Sequence, residues 1–254
     1  ISFSAIASYQ QCPLRYFFKY VEGLPEETVS ASLVLGSGIH SAAEYHFNQL
    51  MVGNPTPDHD TLLAVFWDAW QTRAEEAEIQ FNKTEDVNAI GKAADRILTE
   101  FRRSDFAKPT GQIIGVEEQL RGELVPGVPD LLARVDLIVQ IDDTVTSTDL
   151  KTARSRWSAS QAEDAGQQLL LYGELVRHLA AGKVVKLEFA VITKAAKPVA
   201  ERWPVVADRQ RVDRTKKVIE RVWRSIEGGN FYPSPSAMNC GSCPYRAPCR
   251  DWKG

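Results

Sequence analysis

No run of 18 or more apolar residues occurs in this 254-residue chain, and its first segment has no signal-peptide pattern. Neither a membrane span nor export is expected, and the cytoplasm is the expected compartment. There is no Walker-type phosphate loop, so any ATP-driven unwinding must come from elsewhere. Internal repeats and low-complexity tracts are absent as well, and the composition is that of an ordinary globular protein, which excludes disorder and collagen-like structure. The chain opens at Ile1 rather than Met, which leaves room for an upstream partner domain.

Net charge is small, −3, but unevenly spread. From Lys183 to the C-terminus there are 15 Lys and Arg against 7 Asp and Glu, while the rest of the chain has 15 against 26. A basic tail fits either a solvated helix or a polyanion groove. Cysteine is scarce: Cys12 stands alone near the start, and Cys240, Cys243 and Cys249 form C-x2-C-x5-C near the end. In a reducing compartment this grouping suits metal ligation better than disulfides, and four thiolates accept either zinc or an iron-sulfur cluster.

The pattern predicts an α/β chain without a linker, one domain over residues 1–254. Helices are expected over Ser4–Tyr9, Ser37–Leu50, Thr61–Gln80 and Val87–Arg103, in a helical lobe spanning residues 1–110. A core over 111–228 follows, with strands at Gln112–Leu124, Leu131–Ile141, Thr144–Thr152, Val184–Thr193 and Glu201–Val206, and helices at Ala159–Ala181 and Asp208–Glu227. Residues 229–254 carry the cysteine trio.

The hairpin Leu131–Thr152 is the most informative stretch. A two-residue Asp142-Asp143 turn pairs Ile141 with Thr144, so Asp136 comes to lie opposite Asp149. Opposed residues have Cβ atoms about 4.5–5.5 Å apart, within reach of a shared divalent cation. Alternation puts Lys151 on the face of Asp149 and Leu150 on the other. A plain ion pair on a wet sheet face is the bland alternative. Asp130 of the Pro129-Asp130 pair lies roughly 20 Å from the level of Asp136 along an extended strand, too far to share that ion.

Asp136 followed by Asp149-Leu150-Lys151 resembles the acid, acid-x-Lys signature of the PD-(D/E)xK nuclease superfamily. Gly36-x-x-x-His40, Glu117 and Gln168-x-x-x-Tyr172 are similar to segments of RecB-like nucleases, in the same order. Ala133 stands where many relatives carry Gly. Cys12 with the distant C-x2-C-x5-C resembles the iron-sulfur staple of AddB-type and CRISPR-adaptation members, which turns the cysteine question toward a [4Fe-4S] cluster. Such a staple joins positions 228 residues apart, a loop closure of about 5 kcal/mol in the simplest entropy model.

The resemblance implies a restriction-endonuclease-like core: a mixed β-sheet flanked by helices, with a helical lobe and an iron-sulfur-stapled C-terminal segment. It implies Mg2+ or Mn2+ held by His40, Asp136, Asp149 and the Leu150 main-chain carbonyl. Imidazole ligation tilts the choice toward Mn2+. Lys151 acts on the attacking water, and Glu117 ligates a second ion or orients a water. Gln168 and Tyr172, one helical turn apart, hold DNA, with Arg15, Lys19, Arg154, Arg156 and Trp157 as further contacts to phosphates and a base. The expected function is a metal-dependent DNA exonuclease or end-processing nuclease acting on single strands or opened ends, alone or with a helicase, in repair, recombination or phage and CRISPR DNA processing. A catalytically silent DNA-binding module and a zinc-stapled interaction domain stay open beside it.

Overall fold

The structure is a computed structural model describing residues 1–83 and 85–254. The chain begins with α1 (Phe3–Gln11), α2 (Pro13–Tyr16) and a π-helical turn over Phe17–Val21. Next come β1 (Thr28–Ser30), α3 (Ala31–Met51), α4 (His59–Glu76), β2 (Glu78–Gln80) and α5 (Val87–Arg103). Helix α5 shows why the lobe is helical: Ile90, Ala94, Ile97, Leu98 and Phe101 form one buried stripe, and the Asp86 side chain caps its start by accepting the Ala89 N–H.

Strands β3 (Gln112–Gly122), β4 (Leu131–Ile141), β5 (Thr144–Ala153), β6 (Val184–Thr193) and β7 (Ala200–Val205) form a sheet in that order. The β3–β4–β5 meander is antiparallel, and β5–β6 is parallel. Between those two run α6 (Ala159–Ala165) and α7 (Gln167–Leu179), while α8 (Arg209–Glu227), α9 (Ala237–Cys240) and α10 (Arg246–Asp251) complete the chain. The expected mixed α/β sheet with flanking helices is therefore present. One face packs under α3, α4 and α5, through Leu137, Val139, Leu150 and Ile192. The other packs under α7 and α8, through Val135, Ile138, Phe189 and Val191.

Three expectations are corrected. Helix α3 begins at Ala31, six residues before the expected Ser37, because Ser30 caps it and the Gly36-Ser37-Gly38 segment lies inside the helix. There the glycines serve close approach: a Cβ on Gly36 would meet Thr152 Oγ1 at 3.2 Å, and one on Gly38 would meet the Phe66 ring at 2.6 Å. The helix expected over Thr61–Gln80 stops at Glu76, and Glu78–Gln80 instead pairs in parallel with Thr28–Ser30. The single helix expected over Ala159–Ala181 is two, meeting at Gly166, where a Cβ would come within 3.0 Å of Val205.

The two ends of the chain are tied together. The Ile1 ammonium donates to the Asp130 carbonyl (2.7 Å), Tyr9 OH to Asn230 O (2.6 Å) and Tyr245 OH to Leu24 O (3.1 Å). Residues 1–24 thus pack against α8 and the C-terminal segment, apart from the rest of the helical lobe. No helix among the described residues is long and apolar enough to cross a membrane.

Gly38→Ala tests the α3–α4 contact. Helix propensity favours Ala by about 1 kcal/mol, but overpacking against Phe66 costs about 1–3 kcal/mol. Urea unfolding is expected to show a net loss of about 1 kcal/mol, and a gain would mean that the contact yields.

Candidate active site

The β4–β5 ladder runs from Ile141↔Thr144 to Leu137↔Thr148, the register that the Asp142-Asp143 turn dictates. It ends one pair short of Asp136 and Asp149. At that level Asp136 turns its Oδ2 onto the Leu150 N–H, 2.6 Å away. The neighbouring strand is distorted at the same level. Val116↔Leu137 and Glu118↔Val135 pair normally, but Glu117 between them has φ +49°, a left-handed conformation costly for a residue with a Cβ. The alternation of faces slips there too: Leu131, Ala133 and Val135 enter one core, Leu137 and Val139 the other.

The slip delivers Glu117 and Asp136 to the glycine-bearing half of α3, where His40 meets them. One ligand atom from each of His40, Glu117 and Asp136 lies within 4.8 Å of the others. His40 Nδ1 is 3.5 Å from Asp136 Oδ2. A small cavity of about 10 Å³ beneath them is bordered by these three residues and walled mainly by apolar side chains, among them Phe47, Phe106, Leu137 and Leu150. Asp149 is outside the trio: its Oδ2 is 2.6 Å from Lys151 Nζ, so alternation has put these two side chains together. Glu117 Oε2 lies 2.5 Å from Arg134 Nε. Both carboxylate oxygens are enclosed, and neither contact is aligned as a hydrogen bond.

Electrostatics show what this crowding costs. Burial, reinforced by Asp136 and opposed by Arg134, pushes the Glu117 carboxyl up to about 7. Burial pushes Asp149 up to about 6 against the pull of Lys151. Burial would raise Asp136 as well, but the His40 hydrogen bond and charge, with Lys151 and the Leu150 N–H, hold it below the usual carboxylate range. His40 and Lys151 are raised: burial disfavours their charge, and Asp136 and Asp149 respectively outweigh it. Two enclosed carboxylates and a histidine with ligand atoms this close together are a donor set that fits a divalent cation.

On the opposite face, Gln168 Nε2 donates to Tyr172 OH (2.8 Å) and reaches Asp149 Oδ1 at 3.5 Å, so α7 borders the acid–lysine pair. An open groove of about 570 Å³ leads to the trio, past Arg134, Lys151, Thr152, Lys194 and the α3 serines Ser32, Ser37 and Ser41. Arg134, Lys194 and the serines were not predicted. Strand alternation around Asp136 was the available signal for Arg134, and helical spacing from His40 for Ser37.

Other predicted contacts sit elsewhere. Trp157 packs edge-on against Phe189 (5.1 Å), half-buried and not free to stack on a base. Arg156 pairs with Glu201, and Arg154 is exposed. Arg15 and Lys19 share Glu26, at 3.9 and 2.9 Å. Arg15 also lines a separate cavity of about 60 Å³ walled by Cys12, Cys240, Cys243 and Cys249, all free thiols. All four cysteines are half-buried around this one cavity, so the two ends of the chain bring their thiols to one place.

A family model described as the PD-(D/E)XK nuclease superfamily matches residues 1–250. The chain belongs to the PD-(D/E)XK nuclease superfamily. The family supports nuclease activity and the use of divalent metals. Among solved structures, the chain resembles a "Putative exonuclease" from Eubacterium rectale, 17% identical over 93% of this chain and 92% of that one, with a TM-score of 0.50. That likeness concerns the fold. SSO0001 matches at 14% identity over 95% of this chain and 92% of that one, with a TM-score of 0.37. No curated protein matches the chain.

The raised carboxyls set a pH dependence. In metal-free protein the folded state favours protonated Glu117 and Asp149, so their contribution is present at low pH and lost as pH rises through about 6 and about 7. The melting temperature in EDTA is expected to fall from pH 5 to pH 8, more steeply than in a Glu117→Gln, Asp149→Asn variant. Mn2+ should restore it, by more at pH 8 than at pH 5. A melting temperature that rises over this range, or parallel slopes in the two proteins, would contradict the assignment.

Proposed function

We propose that this nuclease is a metal-dependent DNA exonuclease or end-processing enzyme acting on single strands or opened ends. The observation that carries the reading is the convergence of His40, Glu117 and Asp136 beside the Asp149–Lys151 pair at the head of one groove. His40, Asp136, Asp149 and the Leu150 carbonyl would hold Mg2+ or Mn2+, with Glu117 serving a second ion or orienting a water. When bound, such an ion polarises the scissile phosphate and makes water more acidic.

The chain's own groups do the remaining work. Lys151, fixed by Asp149, orients the attacking water and offsets charge growing on the phosphate. Asp149, enclosed with Oδ2 on Lys151, keeps that ammonium aimed and charged. Gln168 borders the pair from the other face, held by Tyr172, which is buried in the core and so positions Gln168 rather than touching a strand. The groove's cations and hydroxyls suit a phosphate backbone, with affinity falling as salt rises.

The four cysteines are read as ligands of a [4Fe-4S] cluster that staples the chain ends. Support comes from four free thiols around one cavity and from the resemblance of their spacing. A repair or recombination role, and a helicase partner, belong to the same reading and rest on the resemblance of the cysteine pattern and RecB-like motifs. Its compartment is taken as cytoplasmic.

The test is digestion of strands labelled at either end, performed anaerobically with Mn2+. Wild type is expected to cut, and Lys151→Ala and Asp149→Asn to lose about 10²- to 10³-fold in rate while circular dichroism stays native. Retained DNA affinity without cleavage over a metal and pH series would instead select the silent binding module. Anaerobically purified protein should absorb near 400 nm; a colourless, zinc-loaded protein would overturn the cluster assignment.

A further inference from the structure

A second cavity, of about 430 Å³, opens in the helical lobe away from the groove. His46 marks it, six residues beyond His40 on α3 and therefore about 9 Å farther along the helix and rotated to another side. The walls carry His46, His59, Thr99, Arg102, Arg103 and Lys108, with no carboxylate among the lining residues. Asp105, between Arg103 and Lys108 in sequence, lines the adjacent cavity with Lys108, and two further acids nearby are engaged by other groups. Asp95 accepts from His59 Nε2 at 2.8 Å, and Asp58, within range of the Arg102 charge, caps α4 by accepting the Thr61 N–H at 2.8 Å. Among the described residues, Arg102, Arg103 and Lys108 have no carboxylate within 4.0 Å.

Arg102 and Arg103 end α5, where cations favour the helix dipole, which accounts for their place in the sequence. It does not account for a third cation from the following loop, nor for an enclosed Arg102 Nε that donates to nothing. His46 adds no charge of its own. Its Nε2 lies 2.7 Å from the Ala107 carbonyl, which can only accept, so the proton is on Nε2. Burial, with the Arg102 charge, holds the imidazole below its usual range despite that hydrogen bond. The pocket therefore offers three cations with no direct ion-pair partner, an unused guanidinium donor and a threonine hydroxyl around a space large enough for a phosphorylated small group.

We propose that this cavity binds a phosphomonoester, held by Arg102, Arg103 and Lys108. Guanidinium forks match phosphate oxygens, and a dianion meets this charge better than the single charge of an internal phosphodiester. A free phosphate or mononucleotide and the phosphorylated end of a strand share that chemistry. The site is separate from the trio and independent of the proposed nuclease reaction.

The test uses the full chain in EDTA, so that nothing is cut. Inorganic phosphate is expected to raise the melting temperature saturably above that in chloride at equal ionic strength, and the rise should vanish in Arg102→Gln and in Lys108→Gln. The second variant changes an exposed loop residue and keeps the test decisive if the first folds poorly. Fluorescence anisotropy then compares strands ending in phosphate or hydroxyl. About tenfold tighter binding of the phosphorylated strand, lost in the variants, identifies a strand end; equal binding with an intact phosphate response identifies the free phosphate compound. No response to phosphate in wild type, or one that survives both substitutions, would overturn the proposal. So would an equal loss of affinity for hydroxyl-ended strands in the variants, which would make the ligand an internal phosphodiester.

Discussion

The structure turns on one defect in its sheet. At the level of Glu117 and Asp136 the register of two adjacent strands holds but their geometry does not, one strand carrying a left-handed glutamate and the other a slip in the alternation of faces. A regular ladder would set these side chains by the pleat alone. The defect instead turns both toward His40, in surroundings where ionised carboxylates are poorly solvated. Enclosure of such charge is unfavourable without a counter-ion, and Lys151 meets only part of it through Asp149. Arg134 stands against Glu117 and His40 against Asp136, so the cluster is partly compensated by the chain itself, and the family's use of divalent metals is what makes a bound cation the natural further partner.

Neighbouring elements are shaped to this point. The two glycines of α3 let the helix approach β5 and α4, which sets His40 over the defect. The break at Gly166 lets α6 lie against β7 while α7 brings Gln168 and Tyr172 to Asp149 from the opposite face. The chain termini, joined by hydrogen bonds and lining one four-cysteine cavity, pack on α8 and close the far side of the same core. Along α3, the N-terminal half serves the groove and the next turns reach the basic cavity, so one helix connects two regions of different chemistry.

Much of this was legible in the residues. A two-residue turn determines pairing by arithmetic, so the β4–β5 register followed from Asp142-Asp143, and alternation alone put Lys151 beside Asp149. Strong amphipathic spacing likewise located α5 and α8. The approach of Glu117 to Asp136 was not derivable in that way, because the connection between β3 and β4 is too long for turn geometry to fix a register. The helix reads as starting only at Ser37, after Gly36, because propensity is local, whereas Gly36 and Gly38 lie inside it and serve tertiary contact with Thr152 and Phe66. Arg156 and Trp157 looked available for nucleic acid, since a sequence does not reveal that Glu201 and Phe189 already engage them.

The central claim, that the sheet defect creates a cation site shared by the trio and its neighbouring aspartate, is tested most directly by anomalous X-ray scattering from crystals soaked in Mn2+. A peak is expected within coordination distance of His40, Asp136 and Asp149, and it should disappear in an Asp136→Asn crystal. A well-diffracting wild-type crystal with no peak there, or with manganese bound only at surface carboxylates, would contradict it.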